Sequence, residues 1–369
     1  MRIEHVETVV YSLPFREPYV TARGEISERE MVLLRLRTDA GFDGLGEAVP
    51  LALRGDKPLA KVESEIADAA ARLAGLDLEA GLDDPLAFAV ATMLELSISK
   101  RISPAASAAV ECALFDAVAR ANDMPLWKLL RARDSAPVLC NATLTSGPPD
   151  AVATQAREWA GEGFETLKLK LGAGEDDVAT VEAVRDAVGT DVRIRVDANE
   201  AWDARLATDM LRVLEPFGIE LCEQPVGGLR AMARVAGEVS IPLAADESVA
   251  SEADAHRAVQ RGSCRYATAK LSKVGGIGPA RQIARILPTY LSSALDGPVG
   301  IAAAAHAAQV LRSDGTDPGI AHGLATQRLF AETIASRECE LRDGELLLPE
   351  GSGLGVELDE DALQQRLKH

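Results

Sequence analysis

Residues 166–202 read TLKLKLGAGEDDVATVEAVRDAVGTDVRIRVDANEAW. Two short apolar strands, 166–171 and 192–196, enclose a helical stretch, and Lys170 and Asp197 fall at or just beyond their ends. A strand, a helix and a second strand in so short a span form a right-handed crossover between parallel strands. The same rhythm runs outward in both directions, with further strands read at 138–143, 219–222, 243–245, 266–271, 290–294 and 320–324. Eight such units within roughly 200 residues suit a closed (β/α)8-type barrel and predict an α/β fold. The rival is a doubly wound open sheet, which would want a glycine-rich phosphate turn after its first strand. There the chain has Ser146-Gly147-Pro148-Pro149 and no GxGxxG.

The first third of the chain has a different character. Residues 3–15 and 31–38 alternate or are β-branched, with a turn at 40–44, and read as an antiparallel meander. Residues 61–76 and 104–130 read as helices, the second opened by Ser103-Pro104 as N-cap and first-turn pair. The expected division is an α+β domain over 1–135, a barrel over 136–328, and a segment 329–369 whose strand pair at 340–355 returns to the first domain.

The 369 residues are 47% hydrophobic, 26% charged and 4% aromatic, which excludes disordered and fibrous classes. A net charge of -18 is repelled by phosphate backbones and anionic lipid, so neither nucleic acid nor a membrane surface is an expected partner. Residues 1–15 carry Glu4 and Glu7 and do not read as a signal peptide, and the apolar stretch 299–311 is too short to span a bilayer. A cytoplasmic homo-oligomer is the expectation. Cys112, Cys140, Cys222, Cys264 and Cys339 contain no CxxC and read as buried free thiols.

Five polar residues fall at or just beyond consecutive strand ends, 23 to 27 positions apart: Lys170, Asp197, Glu223, Asp246 and Lys270. In a barrel that spacing brings all five to the C-terminal mouth. One acid at a strand end serves most often as a helix cap; five charged residues in succession at one-unit spacing define a site. Three carboxylates brought together repel unless a cation holds them ionised, and all-oxygen ligands select a hard metal, Mg2+ or Mn2+. Lysines flanking such a metal suit removal of a proton α to a carboxylate. Lys168 shares a strand face with Lys170 by period two, so two ammonium groups would enter the lumen.

The segments LKLKLG (167–172), RVDANEAW (195–202), CEQP (222–225), AADES (244–248) and AKLSKVGG (269–276) together resemble the muconate-lactonizing-enzyme subgroup of the enolase superfamily. In the first domain, GFDGLGEAVP and PAASAAVECALFDAVARANDMPLWKLL resemble its capping domain. The resemblance implies that Asp197, Glu223 and Asp246 bind Mg2+, that Lys170 and Lys270 stand on opposite faces of the substrate's α-carbon, that Lys168 supports them, and that Asn199 lies behind the ligands. It leaves open muconate-type cycloisomerase, dipeptide epimerase, N-acylamino acid racemase and o-succinylbenzoate synthase. Dipeptide epimerases resemble one another in an Asp-x-Asp pair after the last strand; here those positions are Gly323 and Ala325. The stretch YLSSALDGPVG and the segment HGLATQRLF look most like o-succinylbenzoate synthases, with Asp296 where that family has glutamate. Ser292 and Asp296 are therefore the candidate substrate contacts, and Mg2+-dependent syn dehydration through an enediolate is the leading expectation. His306 and His322 are assigned no role. A metal-binding barrel without catalysis is disfavoured by the intact lysines. The loops 17–25 and 50–57, rich in glycine, proline and charge, read as lids over the mouth.

Overall fold

The structure, a computed structural model, describes residues 1–21, 24–50, 55, 57–81, 84–95, 102–172 and 176–368. Its N-terminal layer is an antiparallel meander of β1 (Ile3–Thr21), β2 (Gly24–Thr38) and β3 (Asp43–Ala48). Met31, Val32, Leu33, Leu34 and Leu36 of the central strand are all buried. The helix Pro104–Ala121 packs on this sheet, and helices Leu59–Ala70 and Pro85–Glu95 flank it. The helix expected over 104–130 is divided. It ends at Ala121, the chain turns through Asp123 at φ 47°, and a short helix Leu126–Leu129 restarts after Pro125. A proline removes the N–H and excludes the helical geometry that a continuous helix needs there. Ser103 does occupy the N-cap position with Pro104 behind it, but its side chain makes no cap. Its backbone N–H donates instead to Glu65 Oε2 at 2.8 Å.

Beyond β4 (Val138–Leu139), a parallel sheet of seven strands runs in sequence order: β5 (Ala142–Thr143), β6 (Thr166–Lys170), β7 (Arg193–Asp197), β8 (Ile219–Glu223), β9 (Leu243–Ala245), β10 (Tyr266–Ala269) and β11 (Thr289–Leu291). Helices cover its outer side. The eighth strand expected at 320–324 shrinks to two residues. His322 N–H donates to Leu139 O at 2.7 Å and its carbonyl accepts from Asn141 N at 2.8 Å. Gly323 N–H donates to Leu291 O at 2.8 Å and its carbonyl accepts from Ser293 N at 2.9 Å. These four bonds join the two edges into a (β/α)8-type ring. The segment is short because the chain turns left-handed at Gly319 (φ 70°) and enters a tight helical turn, Ala325–Leu329, immediately afterwards.

The strand expected over 138–143 is split between two sheets. Its first part, β4, pairs antiparallel with β14 of the tail, in which β12 (Ala335–Arg337), β13 (Glu340–Arg342), β14 (Glu345–Leu347) and β15 (Glu357–Leu358) follow one another. The tail's strands β13 and β14 thus meet β4, while Gly353 and Leu354, later in the same 340–355 stretch, reach the first domain, with Leu126 N–H donating to Gly353 O at 2.7 Å. Leu354 N–H donates to the Asp116 carboxylate at 2.6 Å, and Lys368 N–H to Val10 O at 3.0 Å.

Two buried carboxylates of the N-terminal layer reach into the barrel. Glu111 accepts from the backbone of Ile277 at 2.5 Å and Gly278 at 3.2 Å, at the start of helix Ile277–Ala284. Glu47 accepts from Gly297 N at 2.7 Å, before helix Pro298–Asp314, and from the Tyr11 hydroxyl at 2.7 Å. Gly276 must be glycine for this approach: its φ is 130°, and a Cβ there would lie 2.0 Å from Glu111 Oε2.

Candidate active site

Alternation along β6 sends Lys168 and Lys170 to one side of the strand, and β7 to β10 deliver Asp197, Glu223, Asp246 and Lys270 at their C-terminal ends. The structure joins them in two ion-paired groups on neighbouring strands, Lys168 and Lys170 with Asp197 and Glu223, and Lys270 with Asp246. Lys168 Nζ lies 2.8 Å from Asp197 Oδ2 and 2.7 Å from Glu223 Oε2. Lys170 Nζ donates to Asp197 Oδ2 at 2.6 Å and to Asn199 Oδ1 at 3.0 Å, while Asn199 N–H donates to Asp197 Oδ1 at 3.0 Å. Lys270 Nζ bonds Asp246 Oδ2.

All three carboxylates are fully buried. Burial alone would raise the Asp197 carboxyl, but Lys168 and Lys170 hold it far below the usual carboxylate range. Burial likewise pulls the Lys168 ammonium down, and the charges of Asp197 and Glu223 more than reverse this, so its proton is held well above the ordinary lysine range. Lys168 and Asp197 thus each favour the other's charged form.

Among the described residues no three carboxylate, imidazole or thiol side chains are already drawn around one point. Each of the three acids faces an ammonium instead. The donor set nonetheless fits a hard cation. Among the described residues nothing donates to the buried Glu223 Oε1, which is costly for a carboxylate oxygen unless something positive completes it. Asp197, Glu223 and Asp246 are the residues that would hold such an ion, with oxygen ligands only.

Comparison with known proteins decides the family. The pattern described as "Enolase C-terminal domain-like" matches residues 151–362. That described as "Mandelate racemase / muconate lactonizing enzyme, N-terminal domain" matches residues 4–131. The chain belongs to the enolase superfamily. Within it the muconate-lactonizing-enzyme subgroup is the place shown by its relatives. A muconate cycloisomerase 1 of Acinetobacter baylyi is 30% identical, covering 99% of each chain. A hydrophobic dipeptide epimerase of Enterococcus faecalis is 32% identical over 84% of this chain and 87% of that one. A dipeptide epimerase of Enterococcus faecalis V583, solved with Mg and the dipeptide L-Leu-L-Tyr, superposes with a TM-score of 0.87 at 29% identity, covering 97% and 100% of the two chains. N-succinyl Arg/Lys racemase of Bacillus cereus superposes at 0.89 with 25% identity over 100% and 99%. The protein is thus an enolase-superfamily enzyme.

The remaining sequence candidates of this enolase-superfamily barrel divide. Ser292 is buried at the end of β11, against Gly323 of the joining segment, where a Cβ would come within 2.6 Å of Ser292 Oγ. Asp296 Oδ2 is held by its own turn, accepting from Ser293 Oγ at 2.7 Å and Ala294 N at 2.6 Å. His306 is a buried packing residue: Nδ1 accepts from Trp127 N at 3.1 Å and Nε2 donates to Leu354 O at 3.2 Å. His322 Nδ1 accepts from Leu291 N at 2.9 Å. Both proposed lid loops, 17–25 and 50–57, extend into positions outside the described residues.

The structure adds residues that the sequence did not single out. Lys273 Nζ donates to Asp246 Oδ1 at 2.8 Å and to the carbonyls of Asp246 and Thr268 at 2.5 and 2.8 Å. Its signal was present in AKLSKVGG, three positions beyond Lys270 on the same helical turn. Tyr290 of β11 donates to Glu223 Oε2 at 2.6 Å. Burial and the Glu223 charge push its phenol well above the usual range, so it remains a donor.

Proposed function

We propose that this enzyme removes the proton α to a carboxylate of a small substrate that carries no ammonium group at its far end. The single observation that carries this reading is the pair of lysines, Lys170 on Asp197 and Lys270 on Asp246, placed across three buried carboxylates. Mg2+, which the dipeptide epimerase neighbour holds, would supply positive charge beside the substrate carboxylate. Lys170 removes the α-proton, and the electron pair delocalises into the carboxylate as an enediolate. Lys270, from the opposite strand, places its ammonium against that developing charge. Lys168 keeps Asp197 ionised and bonds Glu223, and Asn199 holds the Lys170 amine on line.

For the overall reaction we propose syn dehydration to o-succinylbenzoate. Lys170 takes the α-proton and returns it to the departing hydroxyl, which leaves as water. Support comes from Gly323 and Ala325, which put no carboxylate where a dipeptide ammonium would need one, and from the Ser-Ser-Ala-Leu-Asp turn after β11. A second reading, racemisation of an N-acylamino acid, draws on the near-equivalent placement of the two lysines and on the likeness to N-succinyl Arg/Lys racemase. There Lys170 and Lys270 alternate as acid and base.

The experiment is turnover in deuterated water, with the cyclohexadiene dehydration substrate and a panel of N-succinyl amino acids and dipeptides. Dehydration with no deuterium entering N-succinyl amino acids supports the first reading. Deuterium in both enantiomers without dehydration establishes the second. Rapid epimerisation of dipeptides would overturn the exclusion drawn from Gly323 and Ala325.

A further inference from the structure

Beneath the acids, the barrel lumen holds a polar column that the reaction above does not use. Tyr290 is almost wholly buried and packs with Leu221 and Ala244 from strands across the lumen. Arg195 is fully buried, with its guanidinium carbon 5.1 Å from the centroid of the Tyr290 ring. Arg195 is fixed in turn by Glu220 and by the Ala321 carbonyl at 2.6 Å. Above the ring, the hydroxyl lies 2.6 Å from Glu223 Oε2 and 2.8 Å from Thr268 Oγ1.

The proton directions in this chain are forced. The carboxylate oxygen is the acceptor, so the phenol donates to Glu223 Oε2. The phenol has one proton, so Thr268 must donate into the phenol oxygen. Oε2 therefore receives two donors, Tyr290 and Lys168, while Oε1 receives none among the described residues. Lys168 also serves Asp197, so Tyr290 is the donor committed to Glu223 alone. An aliphatic side chain would fill the same lumen position; only a hydroxyl there fixes the rotation of the Glu223 carboxylate.

We propose that Tyr290, held from below by Arg195 and from the side by Thr268, is a positioning residue that turns Glu223 Oε1 toward the metal. The proposal rests on the reading of Glu223 as a metal ligand. Outer partners of this kind typically govern affinity by 10- to 100-fold.

The test is Mg2+ titration calorimetry on metal-stripped full-length protein, repeated with Mn2+ by electron paramagnetic resonance, alongside thermal unfolding of the stripped protein. Tyr290→Phe is expected to raise the Kd for both ions about 10-fold, with full occupancy recovered at saturating metal. Thr268→Val, which leaves the phenol in place but frees it to rotate, is expected to raise Kd by a smaller factor of about 2 to 3. A lowered unfolding midpoint with Kd within about twofold of wild type marks a packing residue and overturns the proposal. If Tyr290→Phe does not fold, Thr268→Val decides: a raised Kd supports the relay, and an unchanged one overturns it. Glu223→Gln separates the two levels of the argument. Wild-type metal affinity in that variant overturns the ligand assignment itself, whereas loss of affinity there with none in Tyr290→Phe overturns the role of Tyr290 alone.

Discussion

At the scale of single residues, the two lysines beside Asp197 have separable duties. Lys168 donates to two carboxylates and is held charged by them, whereas Lys170 sits on one carboxylate and one amide oxygen. Lys170→Ala should abolish both turnover and exchange of the substrate's α-proton with deuterated water. Lys168→Ala should instead leave Asp197 and Glu223 less well neutralised, and both turnover and metal affinity should fall. Lys270→Ala is expected to lose turnover through a missing electrostatic contribution on the order of 3 kcal/mol. Measured exchange in Lys170→Ala at the wild-type rate would move the base elsewhere. The five charged strand ends were legible because period two within a strand and a constant interval between strands fix both direction and level. Tyr290 was not legible in the same way. Its partner Glu223 lies 67 positions away, and their contact depends on how side chains from separate strands stack within the lumen. Asp296 is the opposite case: one oxygen of a carboxylate beyond a strand end serves its own turn, as isolated acids often do.

At the scale of elements, the joints between the N-terminal layer and the barrel are two carboxylates at helix starts. Burial lifts both Glu47 and Glu111 from the ordinary 4.5 to about 7, against the opposing pull of backbone N–H donors. A carboxyl whose folded pKa is raised stabilises most below its unfolded pKa, and that contribution is lost as pH rises through the folded value. For Glu111 the window is therefore roughly pH 4.5 to 7, with a magnitude of about 3 kcal/mol. His306 acts in the other direction. Its imidazole is lowered by burial to about 4, so its contribution is present above pH 6.5 and lost as pH falls toward 4. Because these windows overlap, the difference between proteins isolates each group. Urea unfolding at pH 5 and pH 8 should show a smaller loss of stability on raising pH in Glu111→Gln than in wild type. Equal pH dependence in the two proteins would show that Glu111 titrates as in the unfolded chain. The strand and helix rhythm that announced the barrel was read well where both edges of a strand pair. It failed at 320–324, where two residues do the joining, and at 138–143, where the tail competes for β4.

At the scale of the whole molecule, the chain closes on itself by returning its last residues to its first strands. Asp359 caps the helix Glu360–Arg366, whose Leu363 is buried. Glu360 bonds Arg35 of β2 at 2.7 and 2.9 Å, and Lys368 reaches the Val10 carbonyl and the Glu28 carboxylate. This clasp matters to the site by a short route. Tyr11, which pairs with Leu367 in an isolated bridge, donates to Glu47, and Glu47 accepts from the backbone just before helix Pro298–Asp314. That helix follows the turn carrying Ser292, Ser293 and Asp296. Removing residues 359–369 discards one buried leucine, the backbone bonds of Asp359 to Ile334 and Lys368 to Val10, and the ion pairs of Glu360 with Arg35, Arg366 with Glu332 and Lys368 with Glu28, a loss of about 3 to 5 kcal/mol. Hydrogen exchange on the truncated protein should show faster exchange first at β1 around Val10 and Tyr11, and next at the start of helix Pro298–Asp314. The amides of β6 to β8 should keep their protection, because their ladder does not include the clasp. Uniform loss of protection across both layers would mean that the tail stabilises only the global fold. Protection lost at β1 but retained at Gly297 and beyond would break the route through Glu47, leaving the tail a local clasp of the N-terminal sheet.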